Sequence, residues 1–349
     1  MEFEYRSYPS HVLFGRGRFG DLAGHLKAYE KVLVIGSDRM RGRVSQLRDT
    51  LGEGKVAHFA HIVQHIPEAV VGEARRYMQS VNPQVLVAMG GGSAIGLAKA
   101  LAVEVNLPVV ALPTTYSGSE QTNIWGISTG NGKITGKSDR ALPSLVIYDT
   151  DFTADMPFGL AVKSAMNAMA HLMEAIYAPD GNPVTRHHAL QGIKTLRKGL
   201  LLLADRQALT AEANETILFG AYLAGKCLCE VSMSLHHKTA HVLGGTFGLD
   251  HASVHTVLQP YILKYQWPYL SEEAKEDFMQ TLGSNPVMEL RNLAQKAGGP
   301  AALGDIGFDK ADISKAVDEI LARPYANIAP LEKQALQVML ESAWEGEIS

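Results

Sequence analysis

The chain has 349 residues, of which 46% are hydrophobic and 19% charged, and its formal net charge at pH 7 is −4. A chain of this length exceeds the size at which one hydrophobic core usually stops growing, so we expect two domains. The mild negative charge argues against a nucleic-acid partner, the lack of a long apolar run argues against a membrane partner, and an N-terminus without a signal peptide's apolar core predicts a cytoplasmic protein.

The first segments of the chain have the composition of a strand at a sheet edge. Residues 4–8 and 12–15 together predict an edge strand with an exposed apolar partner. Unprotected strand edges tend to be covered by another chain. We therefore expect a homodimer that forms through this edge.

Short apolar strands alternate with amphipathic helices through the first 150 residues. This alternation is typical of βαβ units and predicts a parallel sheet. The segment 125–137, with glycines near its middle, predicts a hairpin. The predicted strands cover residues 31–36, 56–63, 84–89 and 108–112, and the predicted helices lie near 40–50, 67–80 and 93–105.

Strand patterns end after residue 151. From about residue 154 onward the periodicity is helical, with breaks at segments that contain proline and glycine, such as 179–183 and 298–300. We therefore predict an α/β domain over residues 1–152 and an all-helical domain over residues 153–349.

The strongest motif of the first half is a glycine-rich turn between a predicted strand and a predicted helix. The strand leads directly into Gly90, Gly91, Gly92 and Ser93. Unhindered backbone N–H groups and the positive end of the helix dipole would meet there, which suits a pyrophosphate. The alternative is a tight turn that only allows close helix packing, and the glycine spacing differs from that of ordinary Rossmann domains.

A second loop of the first half, Pro113–Glu120, is small and rich in hydroxyl groups. It follows the next predicted strand at that strand's carboxyl end. Open α/β sheets bind ligands at these ends, so the loop is a second candidate for ligand contact.

The second half contains three pairs of polar residues at i, i+4 spacing. Residues at this spacing project from one face of a helix, and two such helices that cross would close a pocket. A single pair is usually a surface or satisfied core feature, but three pairs on apolar segments favour a functional site. The pairs are Asn167 with His171, His237 with His241, and His251 with His255.

Histidines at this spacing first suggest a metal ion, because neutral imidazole is the commonest transition-metal ligand. Mononuclear catalytic sites commonly add a carboxylate, but Asn167 supplies only a neutral amide. Glu174, three residues after His171, is as compatible with a group that orients a ligand as with a solvated charge. The charge of the site therefore argues against a metal.

Together these motifs resemble a known family. The Gly-Gly-Gly-Ser turn, the Pro-Thr-Thr-x-x-Gly-Ser-Glu loop and the His-x-x-x-His-x-Leu-Gly-Gly run are similar to those of the iron-containing, or group III, alcohol dehydrogenase superfamily. Within it, the run from His236 to Gly245 resembles the maleylacetate reductases. The resemblance spans essentially the whole chain. It implies an α/β N-terminal domain with a parallel dinucleotide-binding sheet and an all-α C-terminal domain, the dehydroquinate synthase-like fold.

The resemblance also implies that a metal has been lost. Metal-dependent members have an aspartate at the position of Asn167, so no metal is expected here. Two further departures are Asp250, where a proline is expected, and the segment 325–330, which lacks an expected Asn-Pro-Arg that would contact a substrate carboxylate. The histidines of the metal-dependent members stand at the positions of His171, His237, His241 and His251.

By this resemblance the chain reduces the enone double bond of maleylacetate to 3-oxoadipate, in the degradation of aromatic compounds. NADH is the expected cofactor, with NADPH as the alternative. Hydride addition to carbon creates an enolate, which a preorganised cation in a dry pocket can stabilise in place of a metal. The same cations would attract this small dicarboxylate through charge-assisted hydrogen bonds of about 1.5–3 kcal/mol each. Members of the family form homodimers, which agrees with the expected edge.

The expected catalytic residues lie in the helical half. We assign His241 as the acid or enolate stabiliser, and the other histidines shape the anion pocket. Lys238 either attracts the carboxylates or is a solvated lysine on the helix face. The full catalytic set is Asn167, His171, His237, Lys238, His241 and His251.

The first half supplies the expected cofactor contacts. Asp38 would accept from the adenosine 2′-hydroxyl and favour NADH, whereas Arg39 and Arg41 suit the 2′-phosphate of NADPH. By the resemblance, the glycine turn holds the pyrophosphate, and the hydroxyl-rich loop and Lys133 lie along the ribose and nicotinamide. The full cofactor set is Asp38, Gly91, Gly92, Ser93, Thr114, Thr115, Ser117 and Lys133.

Three other functions stay open at this point. The chain could be a metal-dependent alcohol or glycerol dehydrogenase, in which Glu174 or water bypasses Asn167. It could be a lyase of the dehydroquinate synthase type, which uses NAD transiently. It could also be a ligand-binding relative without catalysis, since fold analogy alone does not choose among these.

Overall fold

The computed structural model describes residues 3–8, 11–130, 132–323 and 325–348. The chain divides into two compact units, which we call the sheet unit (Ser7–Met156) and the helical unit (Pro157–Ser349 with the residues through Arg6). The domain limits of 1–152 and 153–349 stay a prediction.

Within the described residues, the sheet unit contains a six-stranded sheet in which every pair is parallel, and a separate antiparallel hairpin. The predicted parallel sheet and hairpin are therefore confirmed. The strands are β1 (His11–Phe14), β2 (Val32–Ile35), β3 (Val56–Phe59), β4 (Val85–Gly90), β5 (Val109–Pro113), β6 (Ile124–Thr129), β7 (Gly132–Lys137) and β8 (Leu145–Tyr148). The helices are α1 (Phe19–Leu26), α2 (Arg41–Leu51), α3 (Glu68–Val81) and α4 (Gly92–Val105).

The strand order in the sheet is β1-β8-β5-β4-β2-β3. The central strands are apolar along their whole length, because helices cover both faces of a parallel sheet. All four residues of β2 are fully buried, and Leu22 of α1 with Val44 and Leu47 of α2 belong to the same core cluster as Val32 and Val34. This packing fixes the carboxyl ends of β4 and β5 side by side, in the register that pairs Gly90 with Pro113.

The N-terminal prediction is half right. β1 does lie at the sheet edge and pairs with β8, but residues 4–8 form no strand. Instead, the Tyr5 hydroxyl donates to Oε1 of Glu230, a carboxylate in the helical unit whose side chain is fully buried. A buried carboxylate needs such donors, which explains why this segment belongs with the helices.

The helical unit contains only helices as regular structure over its described residues, so the predicted all-α second half is confirmed. Small residues allow its first helices to pack closely, because a Cβ at Gly192 would lie 2.6 Å from Cδ2 of Leu172. The helices are α5 (Phe158–Tyr177), α6 (Pro183–Arg206), α7 (Ala211–Glu230), α8 (Leu235–Thr246), α9 (His251–Gln266), α10 (Glu272–Leu282), α11 (Pro286–Lys296), α12 (Ile313–Leu321) and α13 (Lys333–Glu345).

Among the helices that the structure describes, none is by itself both long and apolar enough to cross a membrane. The helices α7 and α8 pass a test of length and composition only as a pair, bent by 98°.

Three of these helices carry the predicted catalytic residues. α5 is buried along most of its length and presents Asn167, His171 and Glu174. α8 begins after a short break that follows α7, and Gly248, at φ +71°, turns the chain from α8 into α9. Asp250 caps α9 by accepting from the backbone N–H of Ser253. The residue that departs from the expected proline therefore starts the helix that carries His251.

Candidate active site

The glycine turn joins β4 to α4 as the sequence predicts. Gly91 is the residue that precedes α4, and as a glycine it brings no side chain to cap the helix. The N–H groups of a first helical turn lack partners within the helix, so they and the helix dipole favour an anion there. A Cβ on Gly91 would lie 3.0 Å from Cγ2 of Thr115, so the hydroxyl-rich loop approaches the turn as closely as glycine permits. The turn and loop therefore fit a dinucleotide pyrophosphate.

The other predicted cofactor residues of the sheet unit differ in their exposure and in their partners. Thr114, Thr115 and Ser117 are partly buried beside the turn, and the Thr114 N–H donates to the Gly90 carbonyl over 3.1 Å. Asp38 is exposed and pairs with Arg41, whose Nη2 lies 2.6 Å from its Oδ1. The side chain of Lys133 lies outside the described residues, so its predicted role stays a prediction.

The helical unit brings the predicted histidines together. His171 of α5 stacks on His237 of α8, with 4.8 Å between the ring centroids. His241 stacks on His251 of α9 at 5.9 Å. The structure adds two rings to the predicted set, and we call the whole group the histidine cluster. It consists of His171, His236, His237, His241, His251 and His255.

Glu174 connects α5 to the start of α8. Its Oε1 accepts from the Ser234 hydroxyl at 3.0 Å and from the His236 backbone N–H at 2.8 Å, while its Oε2 lies 2.5 Å from Nδ1 of His237. Burial by itself would raise the pKa of Glu174, but His237 and these donors lower it to about 2. Of the two roles that the sequence left open, the structure shows the orienting carboxylate and not a solvated charge.

Most of the inner imidazoles are neutral. Burial and the neighbouring rings hold the pKa values of His171 and His255 well below the usual range, and burial lowers the pKa of His236 to about 3. Three inner atoms are buried without a hydrogen-bond partner, namely Oδ1 of Asn167, Nδ1 of His171 and Nε2 of His237.

These three atoms are uncharged oxygen and nitrogen atoms, and such atoms can serve as metal ligands. The carboxylate that would balance a divalent charge is Glu174, and it is already bound to His237. In the described part of the chain, no three or more His, Cys, Asp or Glu side chains are arranged to hold a metal ion. Within the described residues, the cluster therefore offers a divalent cation neutral ligand atoms but no free carboxylate.

The outer side of the cluster carries two further basic side chains. His241 is exposed, and Lys238 is half-buried with its Nζ 5.9 Å from the centroid of the Tyr325 ring. Lys238 is thus partly covered by the segment in which the expected Asn-Pro-Arg is missing. These groups are the accessible ones that an anionic substrate could contact.

Sequence reasoning missed three members of this site as functional residues. His236 points about 100° away from His237 around the helix, so it belongs to none of the i, i+4 pairs from which the site was predicted. His255 was noticed only as the partner of His251 in spacing, and Glu174 was left undecided. All three acquire partners only where α5, α8 and α9 meet.

The neutral buried imidazoles predict acid sensitivity. The unfolded chain protonates a histidine below its ordinary pKa of 6.5, whereas folded His236 stays neutral to about pH 3. The unfolded state therefore binds more protons in this window, and stability that is complete above pH 6.5 falls as the pH decreases, by about 1.4 kcal/mol per pH unit for each such ring. Thermal unfolding measured from pH 8 to pH 5 should show a falling Tm, and the fall should be shallower in His236→Gln.

The exposed His187 of α6 provides the control, since His187→Gln should keep the wild-type slope. A Tm that stays level from pH 8 to pH 5 would contradict neutral burial of these rings.

Comparison with known proteins agrees with this architecture. The model of the iron-containing alcohol dehydrogenase family matches residues 9–150, and that of the C-terminal domain of the same family matches residues 161–344. The chain is 37% identical to maleylacetate reductase of Sphingobium indicum, over 99% of this chain and 98% of that protein. It is 39% identical to maleylacetate reductase of a Pseudomonas species, over 99% of both chains.

Solved structures give the same result. The crystal structure of maleylacetate reductase from Agrobacterium tumefaciens has a TM-score of 0.94 and 32% identity, covering 99% of each chain. That of maleylacetate reductase from a Rhizobium species has a TM-score of 0.94 and 33% identity, again covering 99% of each chain. The chain therefore belongs to the iron-containing alcohol dehydrogenase family and is an oxidoreductase.

Proposed function

We propose that the chain reduces the carbon–carbon double bond of maleylacetate to give 3-oxoadipate, using NADH and no metal. The observation that carries the proposal is the histidine cluster together with two neighbouring side chains. Asn167 is a neutral amide, and the buried carboxylate of Glu174 is hydrogen-bonded to His237. The similarity to maleylacetate reductases supports the substrate. The same proposal places the enzyme in the cytoplasm, in the degradation of aromatic compounds.

The sheet unit would hold the dinucleotide. A bound nicotinamide would supply the hydride. The N–H groups of Gly91, Gly92 and Ser93 bind the pyrophosphate, and the hydroxyl-rich loop with Lys133 contacts the ribose and nicotinamide. Asp38 would have to exchange Arg41 for the adenosine ribose, so NADPH remains the alternative cofactor.

The helical unit would handle the substrate. Hydride arriving on the carbon β to the ketone leaves negative charge on the enolate oxygen, and a proton must reach the neighbouring carbon. His241 is exposed on α8 and is assigned to stabilise this enolate and to donate the proton. Lys238 and His251 would attract the carboxylates. The buried side chains of His171, His237 and Asn167 are assigned to the floor of this pocket.

The first test of the proposal concerns metal. Because the described part of the histidine cluster offers a divalent cation no free carboxylate, elemental analysis should find far less than one iron or zinc ion per chain, and chelators should leave activity unchanged. Asn167→Asp provides the converse, since a carboxylate beside His171 and His237 should create a site whose occupation by added Zn²⁺ raises Tm. Wild-type protein given the same Zn²⁺ should show no such rise. A stoichiometric metal that is lost together with activity would overturn metal independence.

The second test concerns assembly. Among the described residues, β1 has a strand partner on one side only, so its other edge can pair with a second copy. We expect light scattering at micromolar concentration to give about twice the chain mass of 37.8 kDa. A monomer under these conditions would refute the dimer.

A further inference from the structure

Three histidine rings form a hydrogen-bonded chain inside the cluster, which we call the imidazole chain. Nε2 of His236 lies 2.9 Å from Nδ1 of His255, and Nε2 of His255 lies 3.2 Å from Nε2 of His251. The rings of His236 and His255 are nearly parallel, with 4.9 Å between centroids, while those of His255 and His251 are nearly perpendicular, with centroids 4.4 Å apart. His255 is fully buried, His236 is 1% exposed and His251 is partly exposed, so the chain runs from the core toward the accessible side.

His255 couples the two ends because both of its ring nitrogens are used. His255 is fully buried between two other imidazoles, where a charged ring would lose its hydration without gaining a carboxylate partner in either hydrogen bond, so the ring is neutral. A neutral imidazole has one N–H donor and one acceptor nitrogen. It must therefore donate in one of its two hydrogen bonds and accept in the other.

As long as His251 is also neutral, this rule leaves the imidazole chain two proton arrangements. If His236 donates to His255, then His255 donates to His251, and neutral His251 carries its own proton on Nδ1. If His251 donates instead, His236 accepts at the far end and Nδ1 of His251 is an acceptor. An anionic substrate only accepts hydrogen bonds, so a neutral His251 can donate to it from Nδ1 only in the first arrangement.

We propose that His255, held by His236, is a positioning residue that fixes the ring orientation of His251 and keeps its proton on Nδ1. The inference rests on the proposed function only in that it gives His251 an anionic substrate to face. Two of the three residues in the imidazole chain, His236 and His255, were not placed in the site by the sequence, and the proposal explains why two buried imidazoles lie behind a partly exposed one. Neither His255 nor His236 touches the substrate.

Nitrogen NMR on ¹⁵N-histidine-labelled protein tests the arrangement without any substrate, because two-bond proton–nitrogen correlations identify the tautomer of each ring. The His251 signal is assigned by its loss in His251→Gln. In the wild-type protein we expect His251 protonated on Nδ1. In His255→Leu, which fills the space without a hydrogen bond, we expect a mixture of tautomers; His255→Gln, whose amide can both donate and accept, should retain the wild-type form.

Steady-state kinetics with NADH and maleylacetate test the consequence. His255→Leu should lower kcat by about 10- to 100-fold, the usual effect of losing a group that orients an active-site ligand, with KM for NADH unchanged. His255→Gln should recover most of that loss. In a His251→Ala background the His255→Leu change should have no further effect, whereas a merely structural role would lower kcat again. His187→Leu, on the surface of α6, is the control and should behave as wild type.

The outcomes separate the two proposals. If His251→Ala retains full activity, the substrate role of His251 fails, while the NMR experiment still decides the imidazole chain. If His251→Ala is impaired but His255→Leu keeps both the His251 tautomer and kcat, the positioning role is overturned. If His255→Leu does not fold, His255→Gln decides: a His251 proton that moves to Nε2 despite the amide overturns the arrangement, and an unchanged tautomer supports it.

Discussion

Replacing His241 with Ala should lower kcat for maleylacetate by about two to four orders of magnitude. This is the range typical of a lost oxyanion donor or general acid. His241 lies on the exposed side of the histidine cluster, where an enolate can reach it, whereas His237 is bound to Glu174 and buried. The affinity for NADH should hardly change, because the residues assigned to the dinucleotide belong to the sheet unit. Rapid-mixing measurement of hydride transfer and a separate NADH titration give the two quantities.

Lys238→Ala and His187→Ala are the informative companions of this variant. Lys238→Ala should raise KM for the dicarboxylate with a smaller effect on kcat, and His187→Ala should change neither. If His241→Ala keeps near-normal kcat while His237→Ala or Lys238→Ala abolishes it, the acid has been misassigned. If the His241, His237 and Lys238 variants all keep full activity while their affinity for NADH collapses, the substrate pocket itself is elsewhere.

Gly91→Val should weaken NADH binding by about 100-fold or more. A Cβ at this position would already meet Cγ2 of Thr115 at 3.0 Å, and the branched side chain would cover the N–H groups at the start of α4. Charge-assisted hydrogen bonds contribute about 1.5–3 kcal/mol each, and each 1.4 kcal/mol is tenfold in affinity, so losing two gives a change of this size. Fluorescence titration with NADH measures it directly.

Gly24→Val is the matched control for the glycine turn. Gly24 lies in α1 of the same unit, and a Cβ there would meet no atom within 4 Å. Its NADH affinity should equal that of the wild type, and circular dichroism should show both variants folded. NADH binding of wild-type strength in folded Gly91→Val would show that the pyrophosphate lies elsewhere.

The sheet was predictable from sequence because its central strands are apolar along their whole length and alternate with amphipathic helices. The predicted strand 31–36 and β2 (Val32–Ile35) differ only at their ends. The predicted strand 56–63 ends early, at Phe59, where Ile62 N–H turns back to the Ala60 carbonyl. The prediction of a strand over residues 4–8 was wrong because Tyr5 instead bonds to Glu230, 225 residues away, and no local sequence pattern indicates such a contact.

In the candidate site, too, local spacing was predictable and contacts between distant segments were not. The i, i+4 pairs correctly placed His171, His237, His241 and His251 in one cluster, because helical spacing determines a face. Spacing could not show that α9 brings His255 against His236, since that contact depends on how helices cross. The catalytic and cofactor roles of these residues stay predictions, and the metal question depends on the chemistry of Asn167.

Metal-free reduction of a carbon–carbon double bond is tested most directly by one labelled turnover. Chelator-treated protein, shown by elemental analysis to lack iron and zinc, is given NADH deuterated at the transferable position, with either maleylacetate or a simple aldehyde. We predict that NADH is oxidised with maleylacetate and that its oxidation with the aldehyde is far slower. NMR of the product should show 3-oxoadipate with deuterium on the carbon β to an intact ketone. Turnover that appears only after iron or zinc is restored, or deuterium on a hydroxyl-bearing carbon, would contradict it.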